Sequence, residues 1–134
     1  MREILFRGKR TDNGDWEYGD LWCNPYGKRV VCIVSPINDQ GTTGGNEVDP
    51  ETIGQYTGLK DKNGKKIFEG DIVKIPLYEG CQERVTAVVA WDILCAVFYL
   101  HGKRVNTDFY HYFGNDCEII GNIHDNPESE VTND

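Results

Sequence analysis

The sequence predicts a mainly β protein, a small antiparallel barrel or sandwich with little helix. Short runs in which apolar and polar residues alternate recur along the chain, whereas the 3.6-residue spacing of an amphipathic helix is hard to find. Turn-forming residues separate these runs at intervals of roughly 8 to 12 residues, as in small β folds. The chain has 134 residues, 39% hydrophobic and 27% charged, and is therefore long enough to bury a core without disulfides or metals.

The N-terminal part predicts a hairpin followed by a buried strand. The opening REILFRGKRTDNGDWEYGDLW has two strand-like runs around Asp12-Asn13-Gly14, residue types that tolerate φ > 0 in a turn. The later run KRVVCIV, residues 28–34, is apolar on both faces, like a strand between two layers. We therefore expect residues 1–35 to form an N-terminal β-hairpin unit.

A polar segment then leads to a second set of strands. Residues 36–50 are rich in Gly, Thr, Asn and Asp, which predicts a flexible loop and a unit boundary. Residues 51–125 alternate again and predict a small C-terminal β-barrel, while residues 126–134 offer little to bury and predict a frayed tail. The same pattern is compatible with one compact domain.

The stretch QYTGLKDKNGKKIFEGDIVKI, residues 55–75, combines turns and strands most densely. A strand leads into a loop turned by Asn63-Gly64, and a second corner follows at Gly70 and Asp71. Glycine can adopt a φ that other residues avoid, and the following carboxylate can accept hydrogen bonds from backbone amides around the bend. We expect this corner to begin the next strand.

Further strands are expected downstream of that corner. Residues 84–91 alternate, with Trp91 on the same face as the apolar valines. The runs AVFYLHG and CEIIGNI read as two later strands, and the aromatic run FYHYF, residues 109–113, lies between them.

Charge and cysteine content narrow the classes of partner and compartment. The 14 basic and 22 acidic residues give a net charge of −8, which repels nucleic-acid backbones and anionic lipids. Five widely spaced cysteines without a C-x-x-C pair favour a reducing cytoplasm over a disulfide scaffold or zinc site. The apolar part of MREILFRGKR is too short for a signal peptide, and no run approaches the roughly 20 apolar residues of a membrane helix. We expect a cytoplasmic protein with no membrane partner.

Four lysines in the central loop are candidate binding residues. Lys60, Lys62, Lys65 and Lys66 could form a basic knuckle that contacts phosphates. The alternative is a solvated turn that keeps strand edges from aggregating. We favour the turn, because Asp61 and Glu69 dilute the positive charge and the whole chain is acidic.

Two tyrosines of the aromatic run are the other candidates. Tyr110 and Tyr112 could stack on bases or on a peptide. Packing in a core or an interface is the interpretation that we favour.

The residues of catalytic and metal chemistry occur at no spacing that such chemistry requires. The histidines 101, 111 and 124 and Cys117 do not lie at ligand spacings of a strand or helix. There is no G-x-S-x-G elbow, and GTTGG lacks the lysine of a phosphate loop. Asp71 and Asp92 could be read as a carboxylate pair, but a corner role explains Asp71 more simply. We expect no enzymatic activity, no metal and no cofactor.

Three blocks of sequence carry a resemblance to a known family. MREILFRGKR, QYTGLKDKNGKKIFEGDIVKI and EIIGNIHDNPE occur in this order, and the chain resembles the YopX family of bacteriophages and of prophages in low-GC Gram-positive bacteria. The resemblance implies a mostly β protein with an SH3-like barrel element. It supplies no catalytic residues.

The sequence thus leads to two hypotheses of function. The first is a non-enzymatic phage or prophage accessory protein, a homo-oligomer that binds an unidentified host or phage protein. Self-association would cover apolar surface at residues 109–113 and along KRVVCIV. The alternative is a nucleic-acid-binding small-barrel factor that uses the Lys60 to Lys74 region, which the negative charge disfavours.

Overall fold

The chain folds into two compact units, each built from antiparallel strands. The computed structural model describes residues 2–24, 31–38, 41–42, 44–109 and 116–127. The units are Met1–Tyr56 and Thr57–Asp134. Every strand pairing in the described residues is antiparallel, which confirms the mainly β class.

The first unit is a sheet with a small separate hairpin. Its strands are β1 (Phe6–Lys9), β2 (Trp16–Asn24), β3 (Val31–Ser35), β4 (Ile37–Asn38), β5 (Gly41–Thr42), β6 (Asn46–Val48) and the beginning of β7 (Gly54–Lys60). The sheet order is β6-β3-β2-β1-β7, and β4 pairs with β5 alone. A short 3₁₀ helix, Pro50–Thr52, precedes β7.

The predicted first hairpin is confirmed. Gly14 has φ 75°, and the Asn13 side-chain oxygen accepts a 2.9 Å hydrogen bond from the Asp15 amide. The Arg10 amide closes the turn by donating to the Asp15 carbonyl at 2.9 Å. Strands β1 and β2 then pair from Lys9 opposite Trp16 onward.

The core of the first unit lies on one face of this sheet. Cys32, Val34 and Val48 are buried there, with Leu21 packed against them. A Cβ on Gly8 would lie 2.9 Å from Val48 Cβ, so β1 can approach this core only with glycine at that position. The KRVVCIV strand therefore fills its own unit's core, and the expectation that it supplies surplus apolar surface is wrong for Cys32 and Val34.

Two further expectations for this unit are corrected. Cys23 and Cys32 stand directly opposite each other on β2 and β3 and form a disulfide; sequence spacing missed the pair because strand register, not spacing, brings it together. Residues 36–50, expected to be a flexible loop, include β4, β5 and β6. Strand β6 is held by pairing with β3 and by the buried Val48. The division between units falls later, within β7.

The second unit is built around a five-stranded sheet. Its strands are the rest of β7, β8 (Lys66–Phe68), β9 (Asp71–Pro76), β10 (Arg84–Asp92), β11 (Val97–His101), β12 (Asn106–Asp108) and β13 (Glu118–Asn122). The sheet order is β12-β11-β10-β9-β13, and β8 lies beside β7. The described pairings leave β12 and β13 as edges of an open sheet, so a small β fold is observed but no closed barrel among the described residues.

Alternation along the strands builds the core of the second unit. Its fully buried members are Ile67, Val73, Ile75, Val85, Ala87, Val89, Leu100 and Cys117. The predicted corner is confirmed, with Gly70 at φ 89° and the Asp71 carboxylate accepting a 2.8 Å hydrogen bond from the Phe68 amide. The Gly70 amide donates to the Val89 carbonyl at 2.8 Å, which fixes the corner against β10.

Candidate interaction surfaces

The loop that carries the four lysines is organised by the buried carboxylate of Asp61. One oxygen accepts hydrogen bonds from the amides of Asn63 and Lys65, both at 2.9 Å, and the other from the Ile119 amide at 3.1 Å. Gly64, with φ 82°, completes the turn. Burial alone would raise the pKa of Asp61, but these backbone donors lower it below its usual value. Sequence reasoning treated this aspartate only as a charge that dilutes the lysines.

Cys117 lies buried near this carboxylate. Burial first, and then the negative charges of Asp61, Asp71 and Glu118, raise the pKa of the thiol to about 12. The thiol is therefore neutral at neutral pH, whereas a nucleophile or metal ligand must be a thiolate.

The four lysines do not form a concentrated basic patch. Lys62 Nζ lies 2.7 Å from the Glu118 carboxylate and lowers the pKa of that acid. Lys60 and Lys65 are exposed, and Lys66 is half-buried at the start of β8. One of the four charges is thus already balanced, in keeping with a solvated turn.

The structure does not describe the two tyrosines that were candidate binding residues. Tyr110 and Tyr112 lie outside the described residues. Phe109, the first ring of the aromatic run, is half-buried against the core of the second unit, and its amide donates to the Phe98 carbonyl at 3.3 Å. This ring serves packing.

Strand β2 carries a row of aromatic side chains that sequence reasoning did not single out. Strand alternation places Trp16, Tyr18 and Trp22 on one face, and Leu21 and Cys23 on the opposite face with the core. Tyr18 is 46% exposed and Trp22 is 57% exposed. We call these three rings the β2 aromatic face. The spacing W-x-Y-x-x-x-W in WEYGDLW was the available signal.

Cationic side chains of β1 lie beside the β2 aromatic face. The Arg7 guanidinium carbon is 4.7 Å from the centroid of the Trp16 ring, and Lys9 Nζ is 5.7 Å from it. Arg7 stands opposite Tyr18 in the strand register. Asp20, exposed on the same side of β2, adds a negative charge. Arg7 itself is only 5% exposed, so the charges that this aromatic surface presents are those of Lys9 and Asp20.

A second apolar surface lies at the end of the β10–β11 hairpin. Ile93 is 81% exposed and Leu94 is 92% exposed in the turn. At its base the rings of Trp91 and Phe98 meet edge to face, with centroids 4.9 Å apart and planes at 71°. We call residues 91–98 the β10–β11 tip. Trp91, expected on the buried face, extends beyond the core and is exposed, because the core ends at Val89.

The remaining surface of the described chain offers less specific chemistry. A shallow cleft of about 480 Å³ in the first unit is lined by both charge types, among them Lys9, Arg10, Glu47 and Asp49. Arg10 there is engaged by Asp12, with a 2.7 Å contact between nitrogen and oxygen. Over the described ranges, no group of three or more histidine, cysteine or acidic side chains could hold a metal ion.

The described part of the chain contains no helix with the length and apolar character needed to cross a membrane.

Comparison with known proteins finds a similar crystal structure and a matching family. The crystal structure of protein EF1440 from Enterococcus faecalis is similar to the chain with a TM-score of 0.58 and 23% sequence identity, covering 96% of this chain and 98% of that one. At this identity the likeness shows the fold alone. No curated protein matches the chain. The model of the family described as YopX protein matches residues 5–129. Since that match spans nearly the whole sequence, the chain belongs to the YopX family.

Proposed function

We propose that this protein is a non-enzymatic, self-associating protein-interaction module encoded by a phage or prophage. The observation that supports this proposal is the β2 aromatic face. Tyrosine and tryptophan combine large apolar area with a polar group and are enriched in protein interfaces. Two of the three rings are about half exposed on a regular strand, a rigid arrangement that limits the entropy lost on binding.

The charged side chains beside the β2 aromatic face favour a second copy of the chain as its binding partner. A twofold interface brings each residue pattern onto itself, so a face with a single sign of charge would repel its copy. The β2 aromatic face has the partly exposed Lys9 on one strand and the exposed Asp20 on the next. In a twofold arrangement Lys9 of one copy can face Asp20 of the other, while the rings supply the apolar contact.

The surroundings of the reactive groups support a non-enzymatic role. The carboxylates of Asp61 and Asp71 accept backbone hydrogen bonds that hold turns. The buried thiol of Cys117 is neutral. These groups serve the fold, which leaves interaction as the function that the described surface favours.

The proposed location is the cytoplasm of the bacterial host. The Cys23–Cys32 disulfide is atypical of that compartment. The proposal therefore requires that the pair be at least partly reduced in the cell, which alkylation of a rapidly quenched lysate can measure.

The experiment is light scattering on the wild type and two matched variants at micromolar concentration. We expect more than one chain per particle for the wild type and a monomer for Trp22→Ser. Trp91→Ser, which removes an exposed tryptophan from the other surface, is the control and should associate like the wild type. A monomeric wild type, or a Trp22→Ser variant that associates as before, would reject self-association through this face.

A further inference from the structure

The turn of the β10–β11 tip is held in one conformation. The Asp92 carboxylate accepts hydrogen bonds from the amides of Leu94 at 2.9 Å and Cys95 at 3.3 Å. The Ala96 amide donates to the Asp92 carbonyl at 2.8 Å, and Ala96 itself has φ 55°. Left-handed backbone is uncommon for alanine. The turn is thus built by specific contacts and does not rely on the glycine or asparagine that such turns usually use.

The side chains that this turn presents are unfavourable in water. Burial of an apolar side chain stabilises a protein, but Ile93 and Leu94 remain 81% and 92% exposed in the isolated chain. Trp91 and Phe98 extend the apolar surface to the base of the hairpin.

The charge of the tip is entirely negative. Asp92 lies at the start of the turn, and Asp108 stands opposite Tyr99 where β12 pairs with β11. The Asp92 carboxylate is the main cause of the raised pKa of the exposed Cys95 thiol. The sequence has no lysine or arginine between residues 85 and 102. Two tips of different copies would therefore bring like charges together, and an anionic lipid surface would repel the tip.

We propose that the β10–β11 tip packs against an apolar surface of a second protein, and that lysine or arginine side chains flank this surface. This inference rests on the proposed role as a protein-interaction module, but it does not depend on self-association. Ile93 and Leu94 contact the apolar surface, and Asp92 and Asp108 face the cationic side chains that flank it.

The test uses two synthetic amphipathic helical peptides as probes. One is composed of leucine and lysine and presents an apolar face with cationic flanks; the other has glutamate in place of lysine. Fluorescence anisotropy should show the lysine peptide binding at least tenfold more tightly than the glutamate peptide. The double variant Ile93→Ser with Leu94→Ser, which leaves the net charge unchanged, should bind the lysine peptide at least tenfold more weakly than the wild type.

The control variant is Ile4→Ser, which removes an exposed aliphatic side chain from the first unit and should bind the lysine peptide like the wild type. The double variant should keep its melting temperature, because both side chains are already in solvent. Equal peptide binding by wild type and double variant would overturn the proposal, since attraction to the net charge would then explain the binding.

Two other outcomes would also overturn it. If the wild type cosediments with phosphatidylcholine or phosphatidylglycerol vesicles and the double variant does not, the partner of the tip is a membrane. Dissociation of the wild-type oligomer by the double change would identify a second copy. Trp22→Ser separates the two proposals, because it should abolish oligomers and leave peptide binding intact.

Discussion

The carboxylate of Asp61 stabilises the lysine loop and links it to β13. It accepts three backbone hydrogen bonds, from Asn63, Lys65 and Ile119, inside the second unit. Hydrogen bonds to a charged group each contribute about 1.5–3 kcal/mol, and removing the acceptor leaves the donors without a partner. Ile119 is 58 residues away in the sequence, so this single side chain joins distant segments.

Asp61→Ala should lower the free energy of unfolding by at least about 2 kcal/mol, because three amides lose their acceptor. Urea denaturation measures the change. Lys62→Ala is the control, since it removes only the exposed ion pair with Glu118 and should cost about 0–1 kcal/mol. Similar costs for the two variants would show that the Asp61 bonds are not what holds the loop.

Stability should also depend on pH through Asp61. Its pKa is lower in the folded chain than in the unfolded chain, so its contribution is complete above about pH 4 and is lost as the pH falls through the folded pKa. Asp61→Asn should therefore lose less stability on acidification than the wild type. Parallel pH profiles of unfolding free energy for the two proteins would contradict this.

Gly70 permits the other corner of the same stretch. Its φ of 89° is strained for a β-branched residue. Gly70→Val should destabilise the protein by more than about 1 kcal/mol, seen as a lower urea midpoint. Gly44→Val is the control, because an added Cβ there meets nothing within 4 Å and its φ is not left-handed. An unchanged midpoint for Gly70→Val would mean that the corner tolerates a side chain.

At the scale of elements, the β2–β3 pair joins a core surface to the proposed interaction surface. The core face of β2 carries Leu21 and Cys23, and the opposite face carries the exposed rings. The disulfide between Cys23 and Cys32 fixes the register of the pair. A one-residue slip would exchange the two faces; the β2–β3 pairing opposes such a slip, and the cross-link adds to this where it is formed.

We expect the oxidised, denatured chain to titrate three thiols, and the reduced chain five, because only Cys81, Cys95 and Cys117 are free. Cys23→Ser should lower stability by about 2–3 kcal/mol under oxidising conditions, as expected for a short closed loop. Excess reductant should remove most of this difference. Five thiols in the oxidised chain would show that the pair is not bonded.

The lysine loop leads to a prediction for nucleic acid. Binding of duplex or single-stranded nucleic acid should be weaker than about 10⁻⁶ M at physiological salt, because the net charge of −8 opposes it. A titration of the protein with nucleic acid should give the same result after Lys62, Lys65 and Lys66 are changed to glutamate. Submicromolar binding that this triple change abolishes would instead support the nucleic-acid hypothesis.

For the whole molecule, net charge and self-association oppose each other. Two copies of charge −8 repel, and salt shortens the range of that repulsion from about 10 Å at 0.1 M to about 3 Å at 1 M. If the rings of the β2 aromatic face supply the affinity, the oligomer should become tighter as sodium chloride is raised from about 0.1 to 1 M. Sedimentation equilibrium measures this. Weaker association at high salt would show that ion pairs dominate the interface.

Local patterns in the sequence predicted the parts of the fold that short-range chemistry decides. Gly14 and Gly70 lie in the turns expected of them, and the alternating valines of β10 face the core. The polar composition of segment 36–50 predicts a loop and conceals Val48, which becomes buried where β6 pairs with β3. The sequence alone does not specify which strand β6 pairs with.

The sequence by itself determined the β class, the corners and the YopX family, because strand alternation, turn chemistry and family motifs are properties of consecutive residues. The tertiary structure decided the candidate surfaces and the long-range bonds. Trp22 and Trp91 belong to alternating segments, yet each is exposed because the core ends before it or lies on the other face. Cys23 with Cys32 and Asp61 with Ile119 are paired by register and packing, which depend on how distant strands meet and not on spacing along the chain.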